Sequence, residues 1–198
     1  MTLLVGYQNK DECFIVTDLL YTIRSKKREL EKLRRIRRDN NFFLAWTGQA
    51  NRGWDTDIYN RHNKEDFLNG NLSIAGKSEL TLKHRKIKET KIRLFKPPIG
   101  FLAVDINMPK VYHGEINNEG FRSLDPLDEE RITMLGYHTD DCLKLIKSSR
   151  QIADDEKFLS VLERSVLKMG RMYPGKIAGL ASYSIKKGSI KRVSYQSI

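Results

Sequence analysis

The second residue of the chain is Thr2, and a strand-like apolar run starts directly behind it, MTLLVGYQ. A threonine hydroxyl is a weak nucleophile until a base takes its proton. If Met1 is removed, that base is already attached, because a free α-amino group titrates near neutral pH. Threonine is small, so aminopeptidase removal of Met1 is chemically plausible. Such a nucleophile needs three supports. A nearby cation favours the alkoxide and keeps the amine neutral, and a carboxylate holds that cation in place. A backbone N–H where the chain has glycine freedom receives the oxyanion. The N-terminal part of the chain carries one candidate for each: Asp18 just past a second strand, Lys32 leading into a short apolar stretch, and Gly48 at the end of a third strand.

Other chemistries are less well supplied. His138 is a tempting base, but an N-terminal nucleophile needs none, and it reads as a loop residue. Cys13 and Cys142 lie far apart and form no CxxC or Cys/His spacing, so neither a zinc site nor a disulfide framework is indicated. No metal and no organic cofactor is called for. A reducing cytoplasm is the compartment expected. No apolar run is long enough to span a membrane, and the N-terminus lacks the charged-then-apolar order of a signal peptide.

The elements that must position these residues can be read along the chain. Its 198 residues are expected to form a single domain, 1–198. Residues 2–8 and 12–17 read as a hairpin across Asn9-Lys10-Asp11, both strands dense enough in apolar residues to be covered on two faces. Residues 40–48 read as a third buried strand, and 49–62 as a helix of poor periodicity. Asn69 to Gly76 reads as a loop. Residues 78–95 fit helix and strand equally, and Pro97-Pro98 is expected to end whatever precedes it. Residues 99–107 and 110–117 read as a hairpin across Met108-Pro109, 120–124 as a possible continuation, and 131–137 as a short strand. Thr139 is the expected N-cap of a helix running to about Arg150. A second helix, from Asp154 or Asp155 to Met172, carries Phe158, Leu159, Leu162, Val166 and Met169 on one face. Residues 177–185 and 189–198 close the chain as a hairpin. Runs of strands separated from runs of helices give the class α+β.

The formal net charge is +11. Residues 24–38 hold nine Lys/Arg against two Glu, and 83–93 six against one. Both read first as solvated faces. Nucleic-acid binding is the minor reading, because no recognition motif accompanies the charge.

Taken singly, Thr2, Asp18, Lys32 and Gly48 have ordinary explanations; their order is what stands out. TLLVGYQNKDECFIVTD, then EKLRRIRRDNNFFLAWTGQAN, resembles the start of a proteasome β-type subunit and of the bacterial HslV peptidase. The shared grammar is an initial Thr, a strand with Val-Gly, a second strand ending in Asp, a Lys before an aliphatic residue, and a strand closing with Ala-x-x-Gly. Lys26 or Lys27 is a less favoured alternative to Lys32. The resemblance implies a four-layer αββα sandwich of the N-terminal nucleophile hydrolase type. It implies a threonine peptidase with Thr2 as nucleophile, Lys32 and Asp18 as its charged supports and the Gly48 N–H as oxyanion donor. It also implies that Thr22 binds substrate backbone, and that Trp46 and Ala50 line a specificity pocket, which Trp46 would make shallow. Expected partners are a peptide or unfolded-protein substrate, further copies in a homo-oligomeric ring, and an ATPase unfoldase. The chain departs from the family in two places. Gly136-Tyr137-His138-Thr139 replaces a Gly-Ser-Gly loop, and Gly170 to Gly175 lacks the usual Asp and Ser. The alternative is a catalytically silent proteasome-like subunit acting as a structural or binding module; a third reading is an amidase on small molecules.

Overall fold

Thr2 to Asp18 folds as two six-residue strands, β1 (Leu3–Gln8) and β2 (Cys13–Asp18), in which every residue is buried. They pair antiparallel from Gln8↔Cys13 to Leu4↔Thr17. The structure, a computed structural model, describes residues 2–23, 26–50, 52–74, 80–81, 95–149 and 155–197. The order continues with β3 (Leu20–Ile23), β4 (Lys26–Glu29), β5 (Arg34–Arg35), β6 (Phe42–Ala50), α1 (Arg52–Arg61), α2 (Lys64–Leu68), β7 (Ser73–Ile74) and β8 (Leu80–Thr81). It then runs through β9 (Phe95–Asp105), β10 (Lys110–Ile116), β11 (Asp125–Pro126), β12 (Ile132–Gly136), α3 (Thr139–Ser148), α4 (Asp155–Met172), β13 (Gly179–Lys186) and β14 (Ser189–Ser197).

Two five-stranded antiparallel sheets result, ordered β12-β1-β2-β13-β14 and β11-β10-β9-β6-β5. Their central strands are apolar on both faces because each sheet is covered twice, while the edge strands β5, β11 and β14 are mostly exposed. Strand alternation sends successive side chains to opposite faces. Leu3, Val5, Phe14, Val16 and Leu180 pack under α3 and α4, against Cys142, Ile146, Leu162, Val166 and Met169. Leu4, Ile15 and Ala181 face the other way and meet Ala45, Leu102, Val104 and Val111 of the second sheet. On the far side of that sheet, Phe42, Leu44, Trp46 and Phe101 pack against Trp54, Ile58, Tyr59 and Phe67 of α1 and α2. The fold is therefore α+β, with two facing sheets and helices outside both, which is compatible with a sandwich in αββα order. Truncating a residue of the central layer such as Ile15 to alanine removes ~2–5 kcal/mol.

The structure departs from the expected elements in particular places. The basic stretch 24–38 contributes β4, which pairs with β3 as a hairpin not expected from the sequence, with Leu20↔Glu29 and Ile23↔Lys26 opposed. Strand β9 runs through Pro97-Pro98 instead of ending there. Proline cannot donate to a ladder, and here it does not have to. Pairing with β10 begins only at Ile99, and the register with β6 shifts between Thr47 and Gln49, opposite the prolines. The residue before α3 is His138, not Thr139, and its side chain makes no capping bond. Most of the ambiguous stretch 78–95 lies outside the described residues. Among the described residues no helix is long and apolar enough to cross a membrane.

Candidate active site

The start of β1, the end of β2 and the segment before β5 meet at one end of the central layer. Lys32 donates from Nζ to Thr2 Oγ1 at 2.8 Å and to Asp18 Oδ1 at 2.5 Å. All three residues are buried: Thr2 is 8% exposed, Lys32 6% and Asp18 0%. The Asp18 carboxylate accepts two further donors, the Leu20 amide at 2.7 Å on Oδ1 and the Leu3 amide on Oδ2. One acid thus fixes the lysine and the peptide group that follows Thr2.

The carbonyl of Thr2 is held from the other side. It accepts from Thr47 Oγ1 at 3.2 Å and from the Tyr137 amide at 3.1 Å. Gly136, with φ 113°, makes the second contact possible: a Cβ there would lie 1.7 Å from the Thr2 oxygen. The hydroxyl of Thr2 therefore stands on a backbone fixed at both ends of its peptide group.

Burial penalises either charge of the Lys32–Asp18 pair. It pushes the Lys32 ammonium below the ordinary lysine range, against the opposing pull of Asp18. It pushes the Asp18 carboxyl above the ordinary carboxylate range, against Lys32 and the two amides. A lysine of lowered pKa beside a hydroxyl is suited to stabilise an alkoxide and to release a proton easily.

The segment carrying Lys32 is anchored from α1. The Tyr59 hydroxyl is shared between the carbonyls of Leu44, at 2.9 Å, and Lys32, at 3.2 Å. The Arg34 guanidinium lies 3.9 Å above the Tyr59 ring and pairs with Asp55. These anchors were not singled out from sequence. The available signal was an acid and an aromatic at i, i+4 in an otherwise weakly periodic helix, which puts both on one face. Thr47 and Gly136 were likewise not assigned to holding Thr2, and Tyr137, considered with Thr139 as a source of a hydroxyl near the Thr2 amine, holds the Thr2 carbonyl through its backbone amide.

The other expected residues sit as follows. Gly48 lies at the register shift in β6, beside Thr47, with φ 127°, and a Cβ there would approach Pro98 O to 2.8 Å. Trp46 points away from Thr2, into the core beneath α1, with Nε1 donating to Asp55 at 3.0 Å. Thr22 lies in β3 opposite Lys27, and Ala50 closes β6 opposite Phe95. Lys26 lies opposite Ile23. Among the described residues no group of three or more His, Cys, Asp or Glu could hold a metal ion. A groove of about 600 Å³ bounded by Gln8, Met108, Pro109, Leu127 and Lys187 lies at the other end of β1 and shares no residue with the site.

No family model matches the chain, and no curated protein matches its sequence. Its fold is similar to that of Thiobacillus denitrificans BPH, solved in complex with epoxomicin. The match has a TM-score of 0.56 at 12% identity, and covers 96% of this chain and 100% of that one. At that identity the likeness is one of fold.

Proposed function

We propose that this chain is an N-terminal threonine peptidase of the proteasome-like N-terminal nucleophile hydrolase type, with Thr2 as nucleophile once Met1 is removed. The observation that carries the proposal is the buried chain of contacts from Asp18 through Lys32 to Thr2 Oγ1. The fold shared with a structure solved with epoxomicin supports it.

In this mechanism the α-amine of Thr2 takes the hydroxyl proton as Oγ1 attacks the substrate carbonyl carbon. The Lys32 ammonium stabilises the developing alkoxide, and Asp18 keeps the ammonium oriented. The Gly48 N–H receives the oxyanion. The ammonium now on Thr2 returns its proton to the leaving amine as the peptide bond breaks, leaving an ester on Oγ1. Water, deprotonated by the same amine, attacks the ester and restores Thr2. The expected homo-oligomeric ring is part of the same proposal, and light scattering on the purified protein reads it.

Hydrolysis of fluorogenic peptides tests the reaction. The wild-type protein is expected to turn them over, and Thr2→Ala to lose that activity with its thermal midpoint kept. Equal turnover by both would remove Thr2 from the chemistry.

A further inference from the structure

His138 is one of two non-glycine residues with positive φ among those described, at φ 53° and ψ 39°. Such a backbone costs ~1–3 kcal/mol and persists where its surroundings over-determine it. Here they do. The imidazole stacks on the Tyr173 ring at 3.7 Å with 9° between the planes. The Tyr137 ring meets it edge-on at 3.6 Å. Asp141 joins the pair: its Oδ2 accepts from the Tyr173 hydroxyl at 2.6 Å and lies 3.4 Å from His138 Nδ1. The Tyr173 hydroxyl holds the Asp141 carboxyl below the usual carboxylate range, so an anion stands beside the imidazole. Lys144 lies 3.6 Å from Asp141, and Lys176 stands 5.8 Å over the Tyr137 ring.

Tyr137, His138 and Tyr173 lie in the two stretches where the chain departs from the proteasome-like pattern, 136–139 and 170–175, and Asp141 follows in the first turn of α3. The residue next to His138 is Tyr137, whose amide holds the Thr2 carbonyl. A continuous set of contacts therefore runs from Tyr173 through His138 to the turn at Tyr137 and on to Thr2.

We propose that His138, stacked on Tyr173 and paired with Asp141, is a positioning residue for Thr2. It holds the Tyr137 amide against the Thr2 carbonyl and so sets where the hydroxyl and amine of Thr2 stand. The catalytic meaning of this clamp rests on the reading of Thr2 as nucleophile; the clamp itself does not.

Two variants separate the ring from the backbone. His138→Asn accepts a left-handed backbone and has no ring to stack. His138→Phe keeps a ring and loses the contact to Asp141. Hydrogen exchange at the Tyr137 amide is the first readout. His138→Asn should exchange about tenfold faster, the scale of one lost aromatic pair, with the Leu145 and Ile146 amides of α3 unchanged. His138→Phe, which keeps the ring but loses the Asp141 contact and tolerates φ 53° less well than Asn, should exchange at a rate between wild type and His138→Asn. The rate at which Thr2 captures a Thr-directed epoxyketone should fall in His138→Asn and recover in part in His138→Phe, with KM for a peptide substrate unchanged. Wild-type exchange in His138→Asn, or a His138→Phe variant no better protected than His138→Asn, would overturn the proposal. If wild-type Thr2 captures no epoxyketone, the reading of Thr2 as nucleophile falls, and the exchange data still decide whether His138 holds the amide.

Discussion

Replacing Asp18 by Asn keeps the size of the side chain and removes its charge. Three donors point at the carboxylate: the Lys32 ammonium and the Leu20 amide at Oδ1, and the Leu3 amide at Oδ2. Asparagine offers one oxygen and one NH₂, so whichever way it is turned a donor faces a donor. The Lys32 ammonium, 6% exposed, also loses its counter-charge. Removing one partner of a buried pair costs ~3–5 kcal/mol, a large part of the ~5–15 kcal/mol that holds a domain together. Urea denaturation should show that loss as a lower midpoint at unchanged slope. The double variant Asp18→Asn/Lys32→Met removes both charges and should recover much of it. The sign of the pH dependence follows from Lys32. Asp18 pulls its pKa up against burial, so without Asp18 it drops further below 10.5. Between the two values the unfolded chain binds more protons than the folded one, and stability rises with pH across that window. The loss in Asp18→Asn therefore shrinks as pH rises toward the ordinary lysine value. A single-variant loss below ~1 kcal/mol, the level of an exposed pair, would refute the reasoning. So would a double variant no more stable than the single one.

Gly136→Ala places a Cβ against the Thr2 carbonyl at a φ of 113°. It should lower stability by several kcal/mol, on the order of the strain and overpacking effects of core changes, and remove the protection of the Tyr137 amide; wild-type exchange there would contradict this. Trp46→Ala should cost ~3–5 kcal/mol as a core truncation; a change in peptide preference with stability kept would instead put Trp46 in a substrate pocket. Burial pushes the Cys13 and Cys142 thiols up to about 12, so neither should react with a thiol reagent in the native protein at pH ~8 while both react in urea. Because both folded values lie above the ordinary 9.0, their contribution is fully present below that pH and is lost as pH rises toward about 12.

How far the sequence could be read depended on what each residue type must do. The β1–β2 hairpin was legible because turn residues separate two apolar runs, and the buried face of α4 because its apolar spacing is helical. Asp18 and Lys32 stood out as charged residues at the edges of apolar segments, and the structure brings Lys32 within hydrogen-bonding distance of both Asp18 and Thr2. Strand β9 was misread at Pro97-Pro98 because the ladder's shift at Gly48 is a property of two strands, not of one. Strand β4 was hidden by its charged residues, KKRE, which carry no apolar alternation to mark a strand. Tyr59, Thr47 and the His138–Asp141–Tyr173 cluster act through contacts between segments far apart in the chain, and no local pattern announces those.

The central claim is that Thr2 is the nucleophile with its own amine as base. Intact-mass measurement of the purified protein, before and after treatment with a Thr-directed epoxyketone such as epoxomicin, tests it most directly. The account predicts a chain lacking Met1 that gains one inhibitor mass, localised to Thr2 and absent in Thr2→Ala. A chain that keeps Met1 quantitatively, or one that loses Met1 yet gains no adduct and cleaves no peptide, would contradict it and leave a silent proteasome-like subunit.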